Sequence, residues 1–279
     1  MLGPDDLVLC AGTVLGSSFR DRVEAASAAG YRGITLWAPD YHRALADGLS
    51  PADMRAMLDD HGLELGELDG VTQWLPGSSD APQSPEAAEF TVPEDVFWEM
   101  ADALGGRSLN VVEIFGAPVH EESAAEAFAG LCDRAAAHGL LAHLEPLPWS
   151  GIRDVNAAAG IVRLAGRPNG GILLDTWHHF RAGLGVADLV PEVTAHIVGI
   201  QINDAPAAAE ADLMDESMRR RLLPGHGAAD VAGTLRALRA AGVDAPIGVE
   251  VFSDALSTLG PAEAARRAAD AARHVLSQS

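Results

Sequence analysis

Three carboxylates and one carboxamide, Glu145, Asp175, Gln201 and Glu250, each follow or end a short apolar run in the second half of this 279-residue chain. A side-chain oxygen is the donor they share. A single acid at such a position often only caps a helix or meets an arginine. Four at successive runs are a different case, because carboxylates in a dry interior are costly when unpaired and clustered ones repel unless a cation neutralises them. The pattern predicts one divalent metal held by Glu145, Asp175, Gln201 and Glu250. His143, two residues before Glu145, projects to the same side but deeper, as a core or supporting histidine.

The elements that must position these residues follow from the alternation of β-type runs with alanine-rich amphipathic stretches. The expected strands are 8–12, 33–37, 63–68, 109–115, 140–147, 171–175, 197–202 and 247–252, with helices such as 21–29, 51–61, 121–138, 157–164, 231–241 and 261–276 between them. Gly30, Gly62, Gly139 and Gly242 each end a helical pattern shortly before the next strand, as a helix C-cap should. Eight βα units predict a closed parallel (β/α)8 TIM barrel, read as a single domain over residues 1–279. The intervals from Glu145 to Asp175 and from Asp175 to Gln201 match one unit, and the interval to Glu250 is lengthened by the loop after the seventh strand. All four residues would face one mouth. Two longer segments, Gly70 to Pro93 and Ala205 to Gly227, also follow strand C-termini and are expected to cover a pocket there.

Glu145, the Asp175-x-x-His178 step, Gln201-x-Asn203-Asp204, the Arg221-x-x-Pro224-Gly225-x-Gly227 loop and Glu250 together resemble the sugar phosphate isomerase/epimerase superfamily. This is the xylose-isomerase-like TIM barrel group that includes inosose isomerases, ketose 3-epimerases and 3-dehydroshikimate dehydratases. The resemblance spans roughly residues 5 to 276, with its specific motifs after Leu140. It implies metal ligands Glu, Asp, His and Glu on strands five to eight, and here Gln201 replaces the commonest histidine. An amide binds a metal only through oxygen, so the set suits manganese or magnesium ahead of cobalt or zinc. The resemblance further implies that His178 touches substrate or relays a proton; its neighbour His179 is expected to point away, as one of two adjacent histidines usually does. Arg221 takes the family position of an arginine that binds substrate oxygens or a phosphate, Asp204 supports the same loop, and Gly225 and Gly227 let it turn tightly near the substrate. Trp37, Trp74, Phe115 and Trp149 are expected on the mouth side, as an apolar wall against a sugar or cyclohexane face.

A metal between two glutamates points to proton abstraction next to a carbonyl, giving an enediolate. Glu145 and Glu250 would act as base and acid, in an isomerase or epimerase of a sugar, ketose or inosose. A dehydratase-like lyase, expelling a β-hydroxyl from the same kind of enolate, is the runner-up. Gln201 favours it, and Leu147 opposes it, because those enzymes carry a histidine two residues after the strand-five glutamate. A non-catalytic sugar-binding relative is the third reading. An apurinic endonuclease is set aside, because Asp69-Gly70, Phe115-Gly116 and Asn203-Asp204 stand where it needs further zinc-binding histidines.

Composition bounds the partners. All 19 basic residues are arginine, which excludes Schiff-base lysine chemistry and the P-loop lysine. The net charge of −21 argues against nucleic acid as a partner. No run is long and apolar enough to span a membrane. The start of the chain has acids and no basic n-region before its apolar run, so a cytoplasmic location is expected. Two cysteines, Cys10 in an expected strand and Cys132 in an expected helix, make no disulfide framework. The expected partner is a small carbohydrate or cyclitol. Alanine-rich helix surfaces leave a homodimer open.

Overall fold

A computed structural model describes residues 1–77 and 91–279. Eight parallel strands pair in chain order and the first meets the last: β1 (Leu7–Leu9), β2 (Gly33–Trp37), β3 (Glu64–Val71), β4 (Ser108–Val112), β5 (Leu141–Glu145), β6 (Gly170–Asp175), β7 (Ile197–Ile202) and β8 (Ile247–Val249). The expected TIM barrel is the observed fold. The strands are almost wholly buried, because helices cover their outer face and side chains fill the inside. Closure is reinforced above the β1/β8 seam, where the Thr13 hydroxyl donates to Val249 O and accepts from Val251 N, both at 2.8 Å.

Among the described residues the helices around the barrel and at its mouth are α1 (Phe19–Ala28), α2 (Ala38–Ala46), α3 (Pro51–Asp60), α4 (Glu94–Leu104), α5 (Glu121–Ala137), α6 (Val155–Ala165), α7 (Thr176–Arg181), α8 (Pro191–Thr194), α9 (Leu213–Arg219), α10 (Val231–Ala240), α11 (Asp254–Ser257) and α12 (Pro261–Leu276). Local chemistry sets several starts. Ser50 and Asp53 form a reciprocal capping box at α3, and Asp154 caps α6 through two backbone N–H groups. Gly30, Gly62, Gly139 and Gly242 all adopt positive φ, as expected at helix ends.

Strand ends differ from expectation by a few residues. Cys10 lies just beyond β1, and Glu250 just beyond β8, where its N–H still donates to Ile202 O at 3.2 Å. Cys10 and Cys132 are both buried and unpaired. Of the expected cover over Gly70 to Pro93, residues 78–90 lie outside the described residues. The segment after β7 does fold over the mouth. Its α9 brings Met214, Ser217 and Met218 to the cavity wall, with Arg221 just beyond.

Candidate active site and metal centre

Strand ends β5 to β8 and the residues just after them deliver Glu145, Asp175, Gln201, His178, Arg221 and Glu250 to the barrel interior, each no more than 6% exposed. Asp175 closes β6 and serves two purposes. Its Oδ1 accepts from the His178 N–H at 2.9 Å, capping α7, while Oδ2 accepts from Asn203 Nδ2 at 2.6 Å and from Arg221 Nη1 at 2.8 Å. Helix capping and site chemistry therefore share one carboxylate. Because Asp175 is the N-cap of α7, His178 falls in the first turn of that helix, with Nε2 3.5 Å from Glu145 Oε1. One ligand atom each from Glu145, Asp175 and His178 lies within 4.8 Å of the others. His178 thus stands close enough to join the ligand set as well as to face substrate.

The same Arg221 nitrogen that meets Asp175 lies 3.3 Å from Glu250 Oε2, and Nη2 reaches His178 Nε2 at 3.2 Å. Ser217 fixes the guanidinium through its carbonyl and hydroxyl, at 2.9 and 2.8 Å. The ring of Phe252 stacks against it at 4.9 Å. One cation thus meets two buried carboxylates, and its charge also acts on Glu145. Burial raises Glu145 well above the usual carboxylate range, with Asp175 and Asp69 adding to the shift. Burial likewise raises Glu250, against the opposing pull of Arg221. His178 is pushed down to about 3, mainly by burial, and stays neutral at ordinary pH.

Gln201 stands in register beside Asp175, two residues' register short of Glu250 just past β8, and both Gln201 Oε1 and Glu250 Oε1 are buried with no hydrogen-bond partner. An orphaned buried acceptor is costly, and coordination to a divalent cation would satisfy such an oxygen. The donor set fits such an ion. Glu145, Asp175, Gln201 and Glu250 would hold it, with His178 within reach.

Above the cluster opens a cavity of about 460 Å³. Trp37, Phe115 and Trp149 line it, as do Glu145, Glu250, His178 and Arg221. Trp74 does not. Its ring packs edge-on against Phe128 and its Nε1 donates to Val112 O at 3.0 Å, which turns it into the layer between barrel and helices. The turn at Gly225 to Gly227 is exposed and outside the cavity wall, contrary to its expected place near substrate. Asp204 explains why: its carboxylate collects Gly227 N–H and Ala229 N–H at 2.8 and 2.9 Å, anchoring the turn outside the mouth. His179 points away, with Nε2 3.0 Å from Gly185 O.

The site has further members that local reading passed over. Glu67 and Asp69, two apart on β3, both face inward. Asp69 accepts from Trp37 Nε1 at 2.9 Å and Asn110 Nδ2 at 3.0 Å, and burial together with Glu67 pushes it up to about 7. Asn110 also donates to Glu145 Oε2 at 2.7 Å. Two acids at alternate positions of an apolar-barrel strand were the available signal.

With this geometry in view, the comparisons with known proteins place the chain. The sequence profile of the xylose isomerase-like TIM barrel family matches residues 23–276, and the chain belongs to that family. It is 31% identical over 254 residues to a 3-dehydroshikimate dehydratase of Pseudomonas aeruginosa, which covers 86% of this chain and 37% of that protein. An inosose isomerase of Halalkalibacterium halodurans is 29% identical over 131 residues, 47% of this chain and 45% of that protein. The chain thus spans well under half the length of the dehydratase it matches, and the isomerase match takes in about half of each chain. Among solved structures, the IolI protein with a bound zinc atom superposes with a TM-score of 0.84 at 21% identity, covering 98% of both chains. A D-allulose 3-epimerase from Methylomonas superposes at 0.71 and 18% identity, covering 99% of this chain and all of that one. At such identities these two structures show the shared fold.

Proposed function

We propose that this chain is a divalent-metal-dependent enzyme that removes a proton next to the carbonyl of a small sugar, ketose or inosose and returns it elsewhere, as an isomerase or epimerase. The observation that carries the reading is the pair Glu145 and Glu250. Both are buried and come from the ends of separate strands to line one cavity, and Glu145 belongs to a compact buried group with Asp175 and His178. Two carboxyl groups that line one cavity are suited to take a proton from a substrate and give it back. A bound divalent cation would supply Lewis-acid stabilisation of the charge that develops on the carbonyl oxygen. Neutral His178 and the Arg221 guanidinium would hold substrate hydroxyls, and the rings of Trp37, Phe115 and Trp149 would cover a C–H face and exclude water. Manganese or magnesium suits the oxygen donors best.

The wall also bears on substrate charge. Arg221 is the one basic residue among the described lining residues, and Asp175 and Glu250 already engage it. A phosphate on the far side of the substrate would meet apolar surface at high cost, which favours unphosphorylated substrates.

A dehydratase acting through the same proton abstraction is the second reading. Gln201 favours it, as do the relatives named 3-dehydroshikimate dehydratase, which match 86% and 94% of this chain. Incubating the manganese-loaded protein with ketohexoses, inososes, their phosphates and 3-dehydroshikimate separates the readings. The proposal expects an isomer or epimer of a neutral compound. Dehydration alone would establish the lyase, and binding without conversion of any compound would indicate a sugar-binding relative.

A further inference from the structure

Gln201 is an awkward residue to place among carboxylates. Its amide has a donor end and an acceptor end of nearly equal size, and surrounding acids attract the NH2 end. Turned that way it would satisfy the carboxylates itself and present no lone pair to a cation. The structure holds it the other way round: Nε2 donates to Glu67 Oε1 at 3.0 Å, and Oε1 is the atom left without a partner. Glu67 belongs to β3 and Gln201 to β7, on opposite sides of the eight-stranded barrel, so this bond crosses the interior.

Glu67 has a second close neighbour. Its Oε2 lies 3.0 Å from His143 Nε2, and both side chains are buried beneath the mouth. Its charge also acts on Arg107, which shares a small interior cavity with Glu67, His143 and Gln201.

We infer that Glu67 is the positioning residue that makes Gln201 a metal ligand: it captures the amide nitrogen and so commits the amide oxygen to the Glu145, Asp175 and Glu250 cluster. Donation of the N–H to a carboxylate also draws amide electron density toward oxygen, which strengthens an otherwise weak neutral ligand. The inference rests on the reading that this cluster holds a divalent cation. It adds that the replacement of histidine by glutamine works because a carboxylate lies opposite.

Titration of metal-stripped protein with Mn²⁺, followed calorimetrically, tests it with two variants. Glu67→Met removes the acceptor at similar length and should weaken Mn²⁺ binding by about 10- to 100-fold. Glu67→Gln loses the charge but keeps an acceptor oxygen for the Gln201 N–H, and should stay within about threefold of wild type. Wild-type-like binding by Glu67→Met would overturn the inference. So would an equal loss in both variants, since charge and not orientation would then be at work. A crystal structure of Mn²⁺-loaded wild-type protein gives a reading independent of variant folding. Gln201 Oε1 should ligate the ion with Nε2 on Glu67, and a Gln201 turned away from the ion would contradict the assignment. Wild-type protein that binds neither Mn²⁺, Mg²⁺, Co²⁺ nor Zn²⁺ would instead overturn the metal reading itself, and this inference with it.

Discussion

Arg221 Nη1 lies 2.8 Å from Asp175 Oδ2, so an arginine expected to serve substrate is in direct contact with a carboxylate expected to serve a metal. The contact is buried on both sides, at 3% and 0% side-chain exposure. Removing one partner of a buried pair leaves the other charge uncompensated. In metal-free protein at pH 8, Arg221→Ala should lower stability by roughly 3–5 kcal/mol. Mn²⁺ should restore much of that loss, because a cation takes over the neutralising role. Chemical denaturation with and without Mn²⁺ checks it. Turnover should fall while metal content stays, and loss of the metal in this variant would make Arg221 part of the metal-binding set.

The order of elements was readable because each βα unit repeats the same local grammar: an apolar run, a turn at the mouth, an alanine-rich amphipathic stretch and a glycine such as Gly139 with positive φ. Glu145, Asp175, Gln201 and Glu250 were readable because each ends such a run. What local sequence could not show is who meets whom across the barrel. The partner of Gln201 is Glu67, 134 residues away, and the partner of Glu145 is Asn110 on the neighbouring strand. Trp74 and the Gly225 turn were misplaced for the same reason. Phe128 and Asp204 decide their orientation, and neither contact leaves a periodic trace in the chain.

A pH dependence follows from Asp69. Its carboxyl is pushed up to about 7 by burial and by Glu67, so the folded protein holds this proton more tightly than the unfolded chain does. The associated stability is fully present below about 4, the ordinary Asp range, and is lost as pH rises to about 7. Glu145 and Glu250 shift in the same direction. Metal-free protein should melt higher at pH 5 than at pH 8, and Asp69→Asn should reduce the difference. A melting temperature that rises over that interval in wild type would contradict this.

Metal binding should run the opposite way. The cation must displace protons from Glu145 and Glu250, so affinity should weaken as pH falls, with protons released on binding. Calorimetric titrations in buffers of different ionisation enthalpy measure that release directly. An affinity unchanged between pH 8 and pH 6 would show that these carboxyls are not ligands.

Gln201→His replaces the amide oxygen with imidazole nitrogen and should move metal preference from manganese and magnesium toward zinc and cobalt. Competition between Mn²⁺ and Zn²⁺, read by elemental analysis of the dialysed protein, should show the zinc fraction rising. An unchanged ratio would mean that residue 201 is not in the ligand set.

The most direct test of the account is deuterium incorporation by manganese-loaded protein in heavy water, followed by mass spectrometry of a substrate it converts. Wild-type protein should place deuterium on the carbon next to the carbonyl. Glu145→Gln or Glu250→Gln should abolish that exchange while most of the metal remains, because glutamine keeps an oxygen donor and loses the base. Conversion with neither solvent exchange nor a primary isotope effect, or exchange that survives in both glutamine variants, would contradict proton transfer by these two glutamates.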